Sequence, residues 1–230
     1  MNVSILQIVL IALYYVFANM SFPFGSMGQW ATINRPLVSG LIVGLILGDP
    51  VQGTIIGATI NIMYLGIISA GGSLPSDSGM AGIMGTAFAL MGGLDVNTAL
   101  ALAVPMGMVG SVLNVLTMTA QCFLIPLADK WINEGKSNRL MWVNVYIPYT
   151  IKAIIRFIIA YLILLFGSTT LDSVVAALDG PVLDALNVMG GLLPAVGVGL
   201  MLLSIFKGRA RFFLFLGFLA TSFLNLGTIA

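Results

Sequence analysis

Between Arg35 and Gly85 the chain reads RPLVSGLIVGLILGDPVQGTIIGATINIMYLGIISAGGSLPSDSGMAGIMG, nearly free of charge, punctuated by glycine and interrupted twice by a lone carboxylate. Gly40, Gly44 and Gly48 recur every four residues, and Gly53 and Gly57 resume the spacing after a break at Asp49-Pro50. In an apolar segment, small residues at that spacing line one helix face and let helix backbones approach closely. Asp49 and Asp77 stand at the breaks in the apolar pattern. Interrupted helices, close backbone packing and a few buried polar groups are how membrane transporters build a substrate site near the middle of the bilayer.

Composition supports a membrane reading. Of 230 residues, 59% are hydrophobic and 7% are charged, and mean hydropathy is +1.09. Soluble domains carry roughly 25% charged residues, so a surface made from this chain belongs in lipid. A net charge of +1 gives no reason to expect a nucleic-acid or acidic partner. Met1 to Asn34 has no basic start and no clean cleavage site, so the first apolar segment is expected to stay as a span. The single cysteine, Cys122, lies in an apolar run and reads as a buried or lipid-facing side chain. The chain has no histidine, which removes a histidine base, a histidine metal site and a phosphohistidine relay within it.

Charges divide the sequence into uncharged blocks at 1–34, 50–76, 96–128, 185–206 and 212–230, each near or above span length. Blocks 36–48 and 78–94 are shorter and read as re-entrant or discontinuous helices, tolerated at membrane depth only where protein or a water-filled cavity covers them. Thirteen of the 27 glycines fall between Pro36 and Gly93, which marks the closely packed, irregular part. The expected fold is all-α: an integral membrane protein, a polytopic helical bundle with re-entrant or discontinuous helices, forming one domain over 1–230.

Basic residues orient it. The loop Asp129–Arg139 holds Lys130, Lys136 and Arg139, and the turn Lys207–Arg211 holds three more basic side chains. The connection from Ser168 to Asn187 holds Asp172, Asp179 and Asp184 and no basic residue. The positive-inside rule makes the basic loops cytoplasmic and the acidic one external, with crossings at about 153–167 and 188–206. Block 96–128 then reads either as one long tilted span or as a span plus a surface helix. Residues 140–156, with Trp142, Tyr146 and Tyr149, read as an interfacial helix whose Lys152 and Arg156 snorkel to headgroups. The alternative is an intramembrane cationic pair lining a path.

The polar residues inside apolar sequence are the candidate site. Asp49, between Gly48 and Pro50, reads as a helix cap, with a ligand role as the alternative. Asn61, within GATINIMYLG, needs a partner: a neighbouring helix or a substrate hydroxyl. Gly71, Gly72, Ser73, Ser76 and Asp77 bring hydroxyls and a carboxylate into a turn between apolar segments, groups suited to sugar hydroxyls that both donate and accept. Arg35, alone after 34 uncharged residues, reads as an interfacial anchor or gate element. No P-loop, zinc spacing or Ser-His-Asp set is present, and no cofactor or metal is expected.

These segments carry a resemblance. RPL at Arg35–Leu37, GLILGDPVQGTIIGAT at Gly44–Thr59, SAGGSLPSD, MAGIMGT at Met80–Thr86, ALAVP at Ala101–Pro105, ADK at Ala128–Lys130 and NVMGGLLPAVGVGLMLLSIFK at Asn187–Lys207 follow in order along the whole chain. The pattern resembles the IIC subunit of the mannose/fructose/sorbose family of the bacterial sugar phosphotransferase system. The resemblance implies a sugar-translocating subunit of the bacterial inner membrane that works with a IID membrane subunit, with soluble IIA and IIB components, in an oligomer within membrane lipid. It implies that the phosphohistidines lie on IIA and IIB, so that this chain is no enzyme by itself. It also implies an elevator-like motion of a core against a scaffold, with sugar near Asn61 and Ser73–Asp77. Where several relatives carry a glutamate, this chain has Asn61, which removes a charged ligand. Relatives also run on past the position of Ala230, so one span is expected to be missing. Two rivals remain at this point: a self-sufficient channel or ion-coupled carrier for a small polar solute, and a non-transporting scaffold. Dependence on a IID-like partner and phosphoenolpyruvate separates the first from a permease subunit.

Overall fold

The computed structural model describes residues 3–20, 31–65, 76–135, 139–177 and 210–224, together with a few isolated positions between 188 and 206. Its described elements are helical: α1 (Ile5–Ala18), α2 (Pro36–Leu47), α3 (Pro50–Met63), α4 (Ser78–Gly92), α5 (Val96–Cys122), α6 (Ile125–Asn133), a π-helical turn (Trp142–Tyr146) leading into α7 (Ile147–Ala177), and α8 (Ala210–Leu224).

Aspartate starts three of these helices. Asp49 Oδ1 accepts from the Gln52 backbone N–H at 3.0 Å, and Pro50 opens α3 with its φ already set. Asp77 starts α4 and Asp95 starts α5 in the same way. A carboxylate there also meets the positive end of the helix dipole. Glycine stops two helices: Gly48 at φ +92° ends α2, and Gly93 at φ +61° ends α4.

Gly48 therefore belongs to a turn and not to the packing face. The other four glycines of the series do pack. A methyl built on Gly40 would lie 2.6 Å from Gly57 Cα, and one built on Gly53 would lie 2.7 Å from Gly44 Cα. α2 and α3 thus form a tight antiparallel hairpin, and the glycine face is consumed within the chain.

α4 is the core. Every residue from Gly79 to Met91 is buried, as expected for a helix that is apolar on all sides. It touches α1, α2, α3, α5 and α7. Gly82 admits Pro36 and Ser39 of α2, and Gly85 admits Ile60 and Ala103.

Lengths sort the helices. Among the described residues, two stretches are long and apolar enough to cross a membrane: Val96–Asn133 and Trp142–Gly167. At 1.5 Å per residue, α1 to α4 reach only about 18–22 Å, against a hydrocarbon core of about 30 Å. Blocks 1–34 and 50–76 are accordingly not single spans, because α1 stops at Ala18 and α3 at Met63. Block 96–128 resolves into span α5 and the separate helix α6, none of whose residues is buried. α7 supplies the crossing expected at 153–167 and continues as helix to Ala177. Most of the second expected crossing lies outside the described residues.

Candidate functional site

The short helices share a common level at their inner ends. Tyr14 of α1 donates to the Ile33 carbonyl at 2.7 Å, next to the start of α2. At the opposite end of α1, Gln7 Nε2 donates to the Ile46 carbonyl at 2.9 Å, near the hairpin tip. Asn34 lies against Gly79 in the first turn of α4, where a methyl would overlap its amide. Tyr64, which caps α3, pairs its hydroxyl with Ser76 Oγ at 2.8 Å. The end of α1, the start of α2, the end of α3 and the start of α4 therefore meet around Asp77.

Asp77 is buried and used on every side. Its Oδ1 accepts from the Gly79 and Met80 N–H groups at 3.0 and 3.1 Å. Its own N–H donates to the Gly107 carbonyl at 2.9 Å. A methyl on Gly110 would lie 2.6 Å from Met80 Cβ, and one on Gly107 would overlap Ser76 Oγ and Tyr64 OH. The two glycines of α5 thus make the room in which Ser76, Asp77 and Tyr64 sit. Asp77 Oδ2 lies 3.6 Å from Arg156 NH1.

Arg156 is 1% exposed. NH1 donates to Tyr15 OH at 3.0 Å and NH2 to Asn114 Oδ1 at 2.6 Å, and the guanidinium lies 5.4 Å from the Tyr15 ring centroid. Within the apolar stretch Trp142–Gly167 it stands 14 residues from one end and 11 from the other. The meeting of the short helices is thus level with the middle of a span. The snorkelling reading of Arg156 is corrected: its partners come from α1, α4 and α5, and the side chain turns inward. Lys152, one turn earlier, is half-buried and shares the field of Asp77 and Arg156.

Several buried acceptors at this level have no hydrogen-bond partner. They are Asn34 Oδ1, Asn61 Oδ1 and Asp77 Oδ2. Asn61 is one turn before Tyr64 on α3. Buried polar atoms are normally satisfied; Asp77 Oδ2 faces Arg156 NH1 as an ion pair, which leaves Asn34 Oδ1 and Asn61 Oδ1 without a partner on elements that converge on one level.

The candidate residues separate accordingly. The structure brings Asn61, Ser76 and Asp77 onto converging elements, and adds Asn34, Tyr64, Asn114 and Arg156. Gly71, Gly72 and Ser73 lie outside the described residues. Asp49 is the cap of α3 at the hairpin tip, the opposite end from Asp77. Arg35 sits half-buried at the base of the hairpin, beside Asn34, and makes no side-chain cap bond to α2. Cys122 is exposed at the end of α5. Far from Asp77, a cavity of about 460 Å³ lies between α6 and the start of α7, lined by Gln121, Ile125, Ile132, Asn144 and Pro148 among others.

A family model described as the PTS system sorbose-specific IIC component matches residues 5–230. The chain belongs to that family. It is 29% identical over 233 residues to the PTS system mannose-specific EIIC component of Escherichia coli, covering 100% of this chain and 85% of the relative. It is 29% identical to the PTS system sorbose-specific EIIC component of Klebsiella pneumoniae, again covering 100% and 85%. The N-acetylgalactosamine permease IIC component 1 of Escherichia coli is 30% identical over 198 residues, which is 85% of this chain and 73% of that one. Two solved structures share the architecture. One, described as a membrane protein, has a TM-score of 0.83 at 27% identity and covers 99% of this chain and 91% of its own. The other, a cryo-EM structure of the mannose transporter ManYZ in complex with a microcin, has a TM-score of 0.65 at 28% identity and covers 100% and 91%. As a sugar-specific IIC component, this chain is an integral protein of the bacterial inner membrane and the sugar-translocating kind of phosphotransferase permease subunit.

Proposed function

We propose that this IIC subunit binds its sugar where α1, α2, α3 and α4 end at mid-span, using Asn34, Asn61 and the Tyr64–Ser76 hydroxyl pair. The observation that carries this reading is the set of buried, unpartnered acceptors there. An acceptor without a donor is what a sugar hydroxyl fills, since a hydroxyl donates one hydrogen bond and accepts others. Gly71, Gly72 and Ser73, three to five positions before Ser76 in the sequence, remain part of the proposed site. Asp77 acts mainly by holding the start of α4.

The sugar is a hexose or a close derivative, as in the relatives named for mannose, sorbose and N-acetylgalactosamine. In this reading a IID subunit completes the translocating unit, and phosphate passes from phosphoenolpyruvate through histidines of IIA and IIB to the arriving sugar. The chain's own lack of histidine suits that division. Family membership favours the permease subunit over a self-sufficient channel or ion-coupled carrier.

The test is uptake of labelled mannose, fructose, sorbose and N-acetylgalactosamine by cells stripped of their own permeases of this family. Uptake is expected only when IIA, IIB and IID are co-expressed, with the label recovered as sugar phosphate. Uptake by this chain alone, driven by an ion gradient, would overturn the proposal.

A further inference from the structure

The sugar reading leaves one buried group unused. Arg156 is a permanent charge in the middle of a span, where an ionisable side chain is costly and ordinarily serves function. Its partners show what it does. Through one planar fork, Arg156 on α7 holds Tyr15 of α1, Asn114 of α5 and Asp77 at the start of α4. Asp77 then transmits that position. Its Oδ1 accepts from the first turn of α4, and its neighbour Ser76 is bonded to Tyr64 at the end of α3. The start of α4 is therefore tied to α5 directly, through the Asp77 N–H and the Gly107 carbonyl, and to α1 and α7 through the guanidinium.

We propose that Arg156 is a positioning residue for sugar recognition: it touches no sugar, but it sets where Ser76 and the start of α4 stand relative to α5 and α7. This rests on the proposed sugar site, and it adds a residue that the resemblance did not assign. The fork geometry matters as well as the charge. Lysine carries a compact ammonium on a flexible stem and does not reproduce a planar, multiply directed donor set. The pair with Asp77 also sets an order among variants. Removing one member of a buried pair strands the other charge, whereas removing both does not.

The experiment measures sugar KM, Vmax and the amount of assembled permease for Arg156→Gln, Arg156→Lys, Asp77→Asn, the double variant Arg156→Gln/Asp77→Asn, and Tyr15→Phe. The probe is whichever of mannose, fructose, sorbose and N-acetylgalactosamine the wild-type complex takes up. Arg156→Gln is expected to raise KM about tenfold or more, and Tyr15→Phe by a smaller factor of about two to five. Arg156→Lys keeps the charge and is still expected to raise KM. The double variant is expected to lie closer to wild type than Arg156→Gln. A purely structural cross-link would lower the amount of complex and leave KM of the survivors unchanged, and that result would overturn the proposal. Should Arg156→Gln fail to assemble, Arg156→Lys and Tyr15→Phe decide: wild-type KM in both overturns it. Asn34→Ala and Asn61→Ala are measured alongside. If they keep wild-type KM while the Arg156 variants do not, the sugar site is misplaced but the positioning role stands.

Discussion

Asn61 sits one turn before Tyr64 with its amide oxygen buried and unpaired. Leaving a buried group unmatched costs about 1–3 kcal/mol, so the oxygen is expected to be filled when sugar binds. Asn61→Ala should then raise the sugar KM of the assembled permease by about ten- to hundredfold, at 1.4 kcal/mol per factor of ten. Transport kinetics at matched expression check this, with Ser111→Ala, whose hydroxyl bonds back to Met108 of its own helix, as the control. Asn61 was legible in the sequence because an amide inside an apolar block has to find a partner. Asn34 is not: it closes the uncharged block 1–34 with no signal of its own, and the Gly79 it packs against is on another helix. Arg156 reads outward in the sequence for the same reason. Its partner Tyr15 is 141 residues away in sequence, and nothing local shows it.

At the scale of elements, the α2–α3 hairpin is the clearest case of sequence dictating structure. The four-residue glycine spacing, the Gly-Asp-Pro break and the cap at Asp49 each specify the same feature. What spacing left open was which backbone the glycines meet, and the structure assigns them to each other. Gly40→Ala and Gly53→Ala should each overpack this contact, since the atoms in the way are backbone. A loss of about 1–3 kcal/mol is expected, seen as a lower thermal midpoint of the detergent-solubilised complex. Asp49→Ala removes only the cap bond to Gln52 and should cost about 1 kcal/mol, a smaller drop in the same assay. An unchanged midpoint in Gly40→Ala would mean that the helices do not approach as described. Apolar run lengths were the poorer guide. Residues 50–76 contain enough apolar sequence for a span, yet run length does not register that α3 ends at Met63.

Among the described residues, two long spans carry a set of shorter helices whose ends meet level with the middle of a span. The division of labour proposed for the complex predicts that no phosphoryl group resides on this chain. Incubation of all components with labelled phosphoenolpyruvate, followed by separation of the subunits, should leave IIA and IIB labelled and this subunit unlabelled. Stable label here would contradict that division. The membrane class and family were readable from composition and ordered motifs, because both are spread along the chain. The convergence point was not, because it is made by contacts between helices far apart in sequence. The most direct measurement of that convergence is a cryo-EM structure of the assembled permease with its sugar bound. Sugar density is expected within hydrogen-bonding reach of Asn34 and Asn61, at the level of Asp77. Density instead at the hairpin tip by Asp49, or in the cavity beneath α6, would contradict it.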